Sequence, residues 1–455
     1  MSCTKIIPIL LFFIVFHPAW SISHNFGHLT IKDGLSQSTI KSIHQDYKGF
    51  VWIGSADGLN KYDAYQFTIY RNNPISPQTL CGNDIACIYE DPKDSSLWIG
   101  NQTDGLNYYV RDNDTFIRYR NGKKGSIPSN NITAILREEG GKLWISTKDK
   151  GLCCFNESDS TFAQPAFALD ERLQNINAFV FDPSGRLWIG TTSGLFVVEP
   201  LKKNDFSRSI PQSIDRAVLP SASIGTLLFD RRGNLWIGTQ KNGLLRYNHE
   251  NKTITEYNQR EYFGQSTPPM EINCLVQQKN GEIWIGSGQG LYQYLPADNH
   301  FSRFANDPLD SGSLNDEVIF SMFEDHSGIL WLGTCYGGIN KLDPDESRFN
   351  RYGNFHKLFG LNRAANNVKS ICTDHQDMIW ICTNKGLLAF DRQTINNRQA
   401  DQNNVKIFFK ETDQYLILRI RKAPFICQIK KEYSSANATN RSSARFDQEY
   451  LPALL

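Results

Sequence analysis

The chain has 455 residues, with 48 Lys+Arg against 47 Asp+Glu and a formal net charge of +1. At 40% hydrophobic and 12% aromatic it carries too much apolar area to stay disordered. It also lacks the basic surplus with which nucleic-acid binders displace counterions from phosphates, so nucleic acid is not an expected partner.

Residues 1–23 have the layout of a secretory signal peptide: Lys5, then the apolar run Ile6 to Phe16, then small residues at Ser21 and Ser23. The run is too short to cross a hydrocarbon core comfortably, and no later stretch approaches spanning length. The expectation is a periplasmic protein with no membrane span after leader removal; an uncleaved anchor is the alternative.

From there the chain repeats. Trp52, Trp98, Trp144, Trp188, Trp236, Trp284, Trp331 and Trp380 stand 46, 46, 44, 48, 48, 47 and 49 residues apart. The frame around each is that of Asp230, Gly233, Trp236, Gly238 and Gly243. A carboxylate precedes the Trp by six residues (seven in the second copy) at Asp46, Asp91, Glu138, Asp182, Asp230, Asp325 and Asp374, and Gln278 is the exception. Each unit reads as a four-stranded meander: an apolar run such as Ile40 to Ile43, a tight turn using Gly49 or Gly185, the Trp-Ile-Gly strand, a short loop, a third strand, and a fourth such as Phe67 to Tyr70. This period, with four strands and one fixed Trp, predicts an all-β fold built of β-propeller blades.

The middle of each first strand is small (Ser42, Cys87, Ala134, Ala178, Thr226, Cys274, Ser321 and Ser370), and two residues earlier stands Ile or Val, from Ile40 to Val368. Crowding at a central channel explains the first, and a wedge between blades the second. Most of the ten Cys are then expected as small core residues rather than a disulfide framework. Cys87, Cys274 and Cys372 lie on inner strands, Cys335 and Cys382 beside a Trp, and the adjacent Cys153 and Cys154 on an ordinary third strand.

Asn25 to Ile31 resembles a fourth strand placed ahead of the first blade, where it would clasp a ring of seven. The predicted domains are a seven-bladed propeller over 24–345, an eighth repeat over 346–392 that starts a second propeller, and a divergent tail over 393–455. The tail matches nothing upstream and is expected to be disordered or out of frame, although its two apolar stretches, Val405 to Phe409 and Tyr415 to Ile420, are able to form strands. A single eight-bladed ring is the alternative.

The frame resembles the two-component regulator propeller repeat, found in the periplasmic sensor region of bacterial hybrid histidine kinases. The segments from His28 to Ser36 and from Asn306 to Leu314 are similar to that family too. The resemblance covers 26 to about 392 and implies a sensor of oligosaccharides, with a homodimer as a further expectation for an intact sensor. The kinase, receiver and DNA-binding regions of such sensors have no counterpart in this sequence, so the expectation is a truncated input half and no enzyme.

The Asp-x-x-Gly-x-Leu-Trp element is also like the Asp boxes of sialidases, which keeps a propeller glycoside hydrolase or lyase as an alternative. Repeat carboxylates that recur in nearly every blade suit turns better than catalysis, which needs an asymmetric pair. A quinoprotein dehydrogenase finds no set of metal-binding carboxylates, and the nine His show no metal-ligand spacing. No catalytic residue, metal or cofactor is therefore expected. Binding belongs where blades differ: the connections from fourth to first strands, and the loops before the third strands. Asp57, Asp104, Lys148, Asp149, Lys241 and Tyr336 are the candidate contacts for a small oligosaccharide or other polar ligand. A protein–protein interaction propeller is the remaining alternative.

Overall fold

The computed structural model describes residues 25–139, 141–201, 205–206, 209–213, 222–248, 251–257, 270–296, 299–308, 310, 312–344, 368–373, 378–383, 386–391, 405–407, 415–419 and 426–430. The proposed leader lies outside them. The chain divides into two compact units, one ending at Arg348 and one beginning at Phe349.

The first unit contains seven antiparallel four-stranded sheets. Their innermost strands are Ile40–Gln45, Ile85–Glu90, Ile132–Arg137, Ile176–Phe181, Ile224–Phe229, Ile272–Gln277 and Ile319–Glu324. Each innermost strand lies beside the next, and the seventh lies beside the first, so the ring closes at seven. The Trp strands come second in every sheet, and all five residues of Val51–Ser55, Leu97–Asn101 and Leu187–Thr191 are buried. A strand buried on both faces needs no alternation, because a neighbouring blade covers each side. In the seventh sheet the outermost strand is Phe26–Leu29, which runs antiparallel to Ile339–Leu342 with Phe26 opposite Leu342. The N-terminal segment is therefore the clasp that its sequence suggests. Among the described residues there is no α-helix, only three short 3-10 turns.

Blades interlock through a glycine and an isoleucine. A Cβ built on Gly54, Gly100, Gly190, Gly238, Gly286 or Gly333 would lie 2.6 to 2.9 Å from Cγ2 of Ile85, Ile132, Ile224, Ile272, Ile319 or Ile40 respectively, each on the next blade. All six isoleucines are essentially inaccessible to solvent. The small residues of the first strands face these same glycines across the sheet, Ser42 opposite Gly54, Cys87 opposite Gly100 and Cys274 opposite Gly286. Their smallness thus reflects close blade-to-blade approach at this layer, a reason different from the channel crowding expected from sequence.

The repeat carboxylates hold the tryptophans. The indole Nε1–H donates to Asp46 at 2.9 Å, Asp182 at 3.0 Å, Asp230 at 2.9 Å and Asp325 at 2.8 Å from Trp52, Trp188, Trp236 and Trp331. Trp144 donates to Glu138 at 3.4 Å, and Trp284 to Gln278 Oε1 at 2.7 Å, so the one exception in sequence keeps the acceptor. The second carboxylate oxygen accepts turn N–H groups, as Asp46 does from Lys48 and Phe50 at 3.0 Å each. In the second blade, where the spacing is longer by one, Ser96 takes the indole at 3.2 Å and Asp91 is instead paired with Arg137.

A buried asparagine on the third strand ties down several blade entries. Asn60, Asn107 and Asn340 are fully buried, and Oδ1 of each accepts the backbone N–H of Ser36, Cys81 or Asn315 at 2.7 to 3.0 Å. In blade 3 the same place on the strand holds Cys153, opposite Ile145, and the residue following Ile127 is Pro128, which has no N–H to offer. Cys153 and Cys154 are both thiols, not a vicinal disulfide. Burial pushes the Cys87 and Cys154 thiols up to about 12, as befits inert core residues. Cys382, expected as a small core residue, is buried but disulfide-bonded.

The second unit contains the eighth copy, Val368–Thr373, Met378–Thr383 and Gly386–Asp391, with Val368 opposite Thr383 as in the other blades. Val405–Ile407 joins that sheet as its fourth strand. The repeat thus runs past residue 392, where its sequence frame gives out, because an outermost strand carries no Trp or Gly signature. Tyr415–Arg419 and Ile426–Lys430, in the tail expected to be disordered, form a two-stranded antiparallel sheet. Phe349 to Tyr352, which by its aromatic pattern reads as a fourth strand like Phe67 to Tyr70, lies outside the described residues.

Candidate functional site

The loops before the third strands and the entries to the first strands meet at one end of the sheets. Gly58 N–H donates to Asn83 O at 2.7 Å, Gly105 to Asn130 O at 2.9 Å, Gly151 to Gln174 O at 3.1 Å and Gly338 to Ser38 O at 3.0 Å, each from one blade to the next. Gly58 and Gly105 hold φ of +117° and +108°, and a Cβ on Gly105 would lie 2.5 Å from Tyr119 O, so glycine is required at these crossings. The two sets of variable loops therefore do share a face, stitched by main-chain bonds.

On that face the six predicted contacts are spread over blades 1, 2, 3, 5 and 7. Asp57, half-buried, accepts from Arg71 at 3.1 Å and from Asn83 at 3.2 Å. Asp104 accepts from Thr103 at 3.0 Å and lies against Gly82, where no Cβ fits. Lys148, Asp149 and Lys241 are exposed. Tyr336 is 79% exposed, and its backbone N–H donates to Asp316 Oδ2 at 2.6 Å. Its hydroxyl is held above the usual tyrosine range, chiefly by the adjacent Cys335 thiol. No described side-chain bond links any two of the six.

A further polar group stands nearer the axis. Every innermost strand has a register irregularity between its Ile and its small residue. The residue at this bulge is Lys41, Ala86, Thr133, Asn177, Gly225, Asn273 or Phe320 in blades 1 to 7. Bulges re-aim side chains and often border binding sites. Asn177 and Asn273 donate to the main-chain carbonyls of Ile224 and Ile319 at 2.8 and 2.9 Å. The Lys41 ammonium donates to both oxygens of Asp84, at 2.7 and 2.9 Å, and to Gln102 Oε1. Sequence reasoning passed over this position, although its variability between two fixed neighbours was the available signal.

Among the described residues the two carboxyl groups held above the usual range, Glu90 and Glu138, owe this to burial and stand at the opposite end of the innermost strands. There Glu90 accepts from Tyr47 N–H and Arg111, and Arg111 also reaches Asp46 at 2.7 Å. These groups tie blade 1 to blade 2. Among the described residues no group of three or more His, Cys, Asp or Glu is placed to hold a metal, and no helix is long and apolar enough to cross a membrane.

The family described as "Two component regulator propeller" matches residues 34–57, 171–193, 218–241 and 313–336. These four stretches match that family's repeat, each around one blade tryptophan. A curated relative, Histidine kinase P4 of Formosa agariphila, is 55% identical over 49 residues, which is 11% of this chain and 4% of the relative. The propeller is also like the extracellular domain of a hybrid two component system from B. thetaiotaomicron, with a TM-score of 0.62 and 24% identity over 87% of this chain and 50% of that one. A second such domain from the same organism gives 0.58, with 22% identity over 81% and 46% of the two chains. Virginiamycin B lyase from Staphylococcus aureus shares the fold at 0.54, with 13% identity over 70% and 99%. The chain spans about half the length of the extracellular domains that it resembles.

Proposed function

We propose that this propeller is the ligand-sensing part of an exported two component sensor, and that its loop face binds an oligosaccharide reversibly. The observation that supports it best is the family match on blades 1, 4, 5 and 7, on a fold resembling extracellular domains of hybrid two component systems. Phosphotransfer would fall to other regions of such a sensor, and the propeller would supply the ligand dependence.

Binding without cleavage suits the layout of the acids. Asp46, Asp182, Asp230 and Asp325 have their oxygens on indole and turn N–H groups, and the raised carboxyl groups stand away from the loop face. A hydrolase needs one carboxyl kept protonated beside an ionised partner in the ligand site. The lyase reading rests on fold likeness alone, and fold does not carry function. A glycan array followed by calorimetry on the purified chain tests the proposal: reversible binding of an oligosaccharide that is recovered intact is expected, and release of new reducing ends would replace it with the hydrolase reading.

A further inference from the structure

We infer that Asp84 and Gln102, oriented by Lys41, form a subsite for two neighbouring hydroxyls of an uncharged sugar. The inference rests on the oligosaccharide reading above and narrows it to neutral glycans. Lys41 is the one charged residue among the seven bulge positions, so it breaks the ring's symmetry at the strand layer closest to the axis. Its ammonium reaches across to the next blade, to Asp84 at the entry of the innermost strand and to Gln102 just past the Trp strand.

The ammonium is donor-only, so Gln102 must present its amide oxygen to it. That fixes the amide's orientation and turns its NH2 away from Lys41. Gln102 is itself anchored, because its backbone N–H donates to Asp84 O at 3.0 Å. Asp84 keeps lone pairs beyond the two taken by Lys41, and its side chain remains 34% exposed. Asp84 and Gln102, held together by the Lys41 ammonium and by the Gln102 N–H to Asp84 O bond, thus offer an acceptor and a donor from one blade, which suits a vicinal diol, in which one hydroxyl donates and its neighbour accepts. The lysine and aspartate charges cancel, so the cluster offers no net attraction to a uronate or a sulfated sugar. Lys41 is the positioning residue; Asp84 and Gln102 make the contacts.

The test uses the full secreted chain on an array holding neutral gluco-, manno-, xylo- and arabino-oligosaccharides beside oligogalacturonates and unsaturated glycosaminoglycan disaccharides. Hits are followed by calorimetry on the wild type, Lys41→Met and Gln102→Glu. Gln102→Glu keeps an oxygen for Lys41 but removes the NH2, so a merely structural role would leave its binding unchanged. The expected result is a neutral ligand whose affinity falls at least about tenfold in both variants, the loss of one good hydrogen bond or more, while Gln102→Glu melts within a few degrees of wild type. Selective binding of uronates, or a neutral ligand bound equally by Gln102→Glu, overturns the subsite and leaves the sensor reading standing. Silence across the whole array overturns both.

Discussion

Gly333 of the seventh blade packs directly against Ile40 of the first: a Cβ on the glycine would lie 2.6 Å from Ile40 Cγ2. This contact closes the ring, and it repeats the Gly54 to Ile85 contact one blade on. Gly333→Ala should therefore destabilise the fold by roughly 1–3 kcal/mol through overpacking. Gly288→Ala is the control, since nothing lies within 4 Å of a Cβ there, and thermal unfolding should barely register it. Equal melting temperatures for the two variants would contradict the interlock.

The indole acceptors give a second expectation. Trp236→Ala should cost about 3–5 kcal/mol, because the side chain is 1% exposed within a packed cluster of aromatic and aliphatic side chains. Asp230→Asn keeps one oxygen, for either the indole or the turn N–H groups, and should cost less than Asp230→Ala, which strips both of their partner. Denaturant unfolding of the three variants would reveal the order.

Cys153 and Pro128 make a coupled pair. Cys153→Asn alone should destabilise by about 1–3 kcal/mol, because the buried Oδ1 would face a residue with no N–H. Pro128→Ser supplies that donor, as Ser36 does for Asn60, so the double variant should recover part of the loss. A double-mutant cycle measures this, and simple additivity would rule out the pairing.

His44 offers a pH test. Burial lowers its pKa to about 4, so the 3.7 Å approach of Glu90 is not an ion pair at neutral pH. Asp46, Arg111 and His326 act on it as well. Between pH 4 and 6.5 the unfolded chain binds the extra proton, so this residue's contribution to stability rises with pH and is lost as pH falls, by up to about 3 kcal/mol. Glu90, raised by burial, acts in the opposite sense. His44→Gln should therefore flatten the acid limb of stability relative to wild type between those pH values, while an unchanged slope would show that His44 is not buried as described.

The blade frame was legible because Trp52 and its seven counterparts are large and evenly spaced, and because the indole bond that the Asp46 carboxylate makes recurs at Asp182, Asp230 and Asp325. Small residues such as Ser42 were visible too, but not their cause, since the glycine opposite and the isoleucine beyond lie on other strands and other blades. The exchange of Asn60 for Cys153 is understood only against Pro128, which holds the place at the entry to blade 3 that Ser36 holds at blade 1. Val405 to Ile407 was readable as a strand but not as the fourth of the eighth copy, because outermost strands carry no fixed residue. The candidate site was legible only as a face: the variable loops marked it, but sequence variability does not say which of Asp57, Lys148 or Tyr336 meets a ligand. Lys41 lay hidden inside a strand whose neighbours looked purely structural.

The most direct measurement is amide hydrogen exchange of the full chain with and without the glycan that binds best on the array. The account predicts protection at residues 55–58, 83–84 and 102–105, on the face where Gly58 N–H meets Asn83 O, with the turns at 46–50 and 182–186 unchanged. Protection confined to those turns, or spread evenly over the blades, would contradict a ligand site on the loop face.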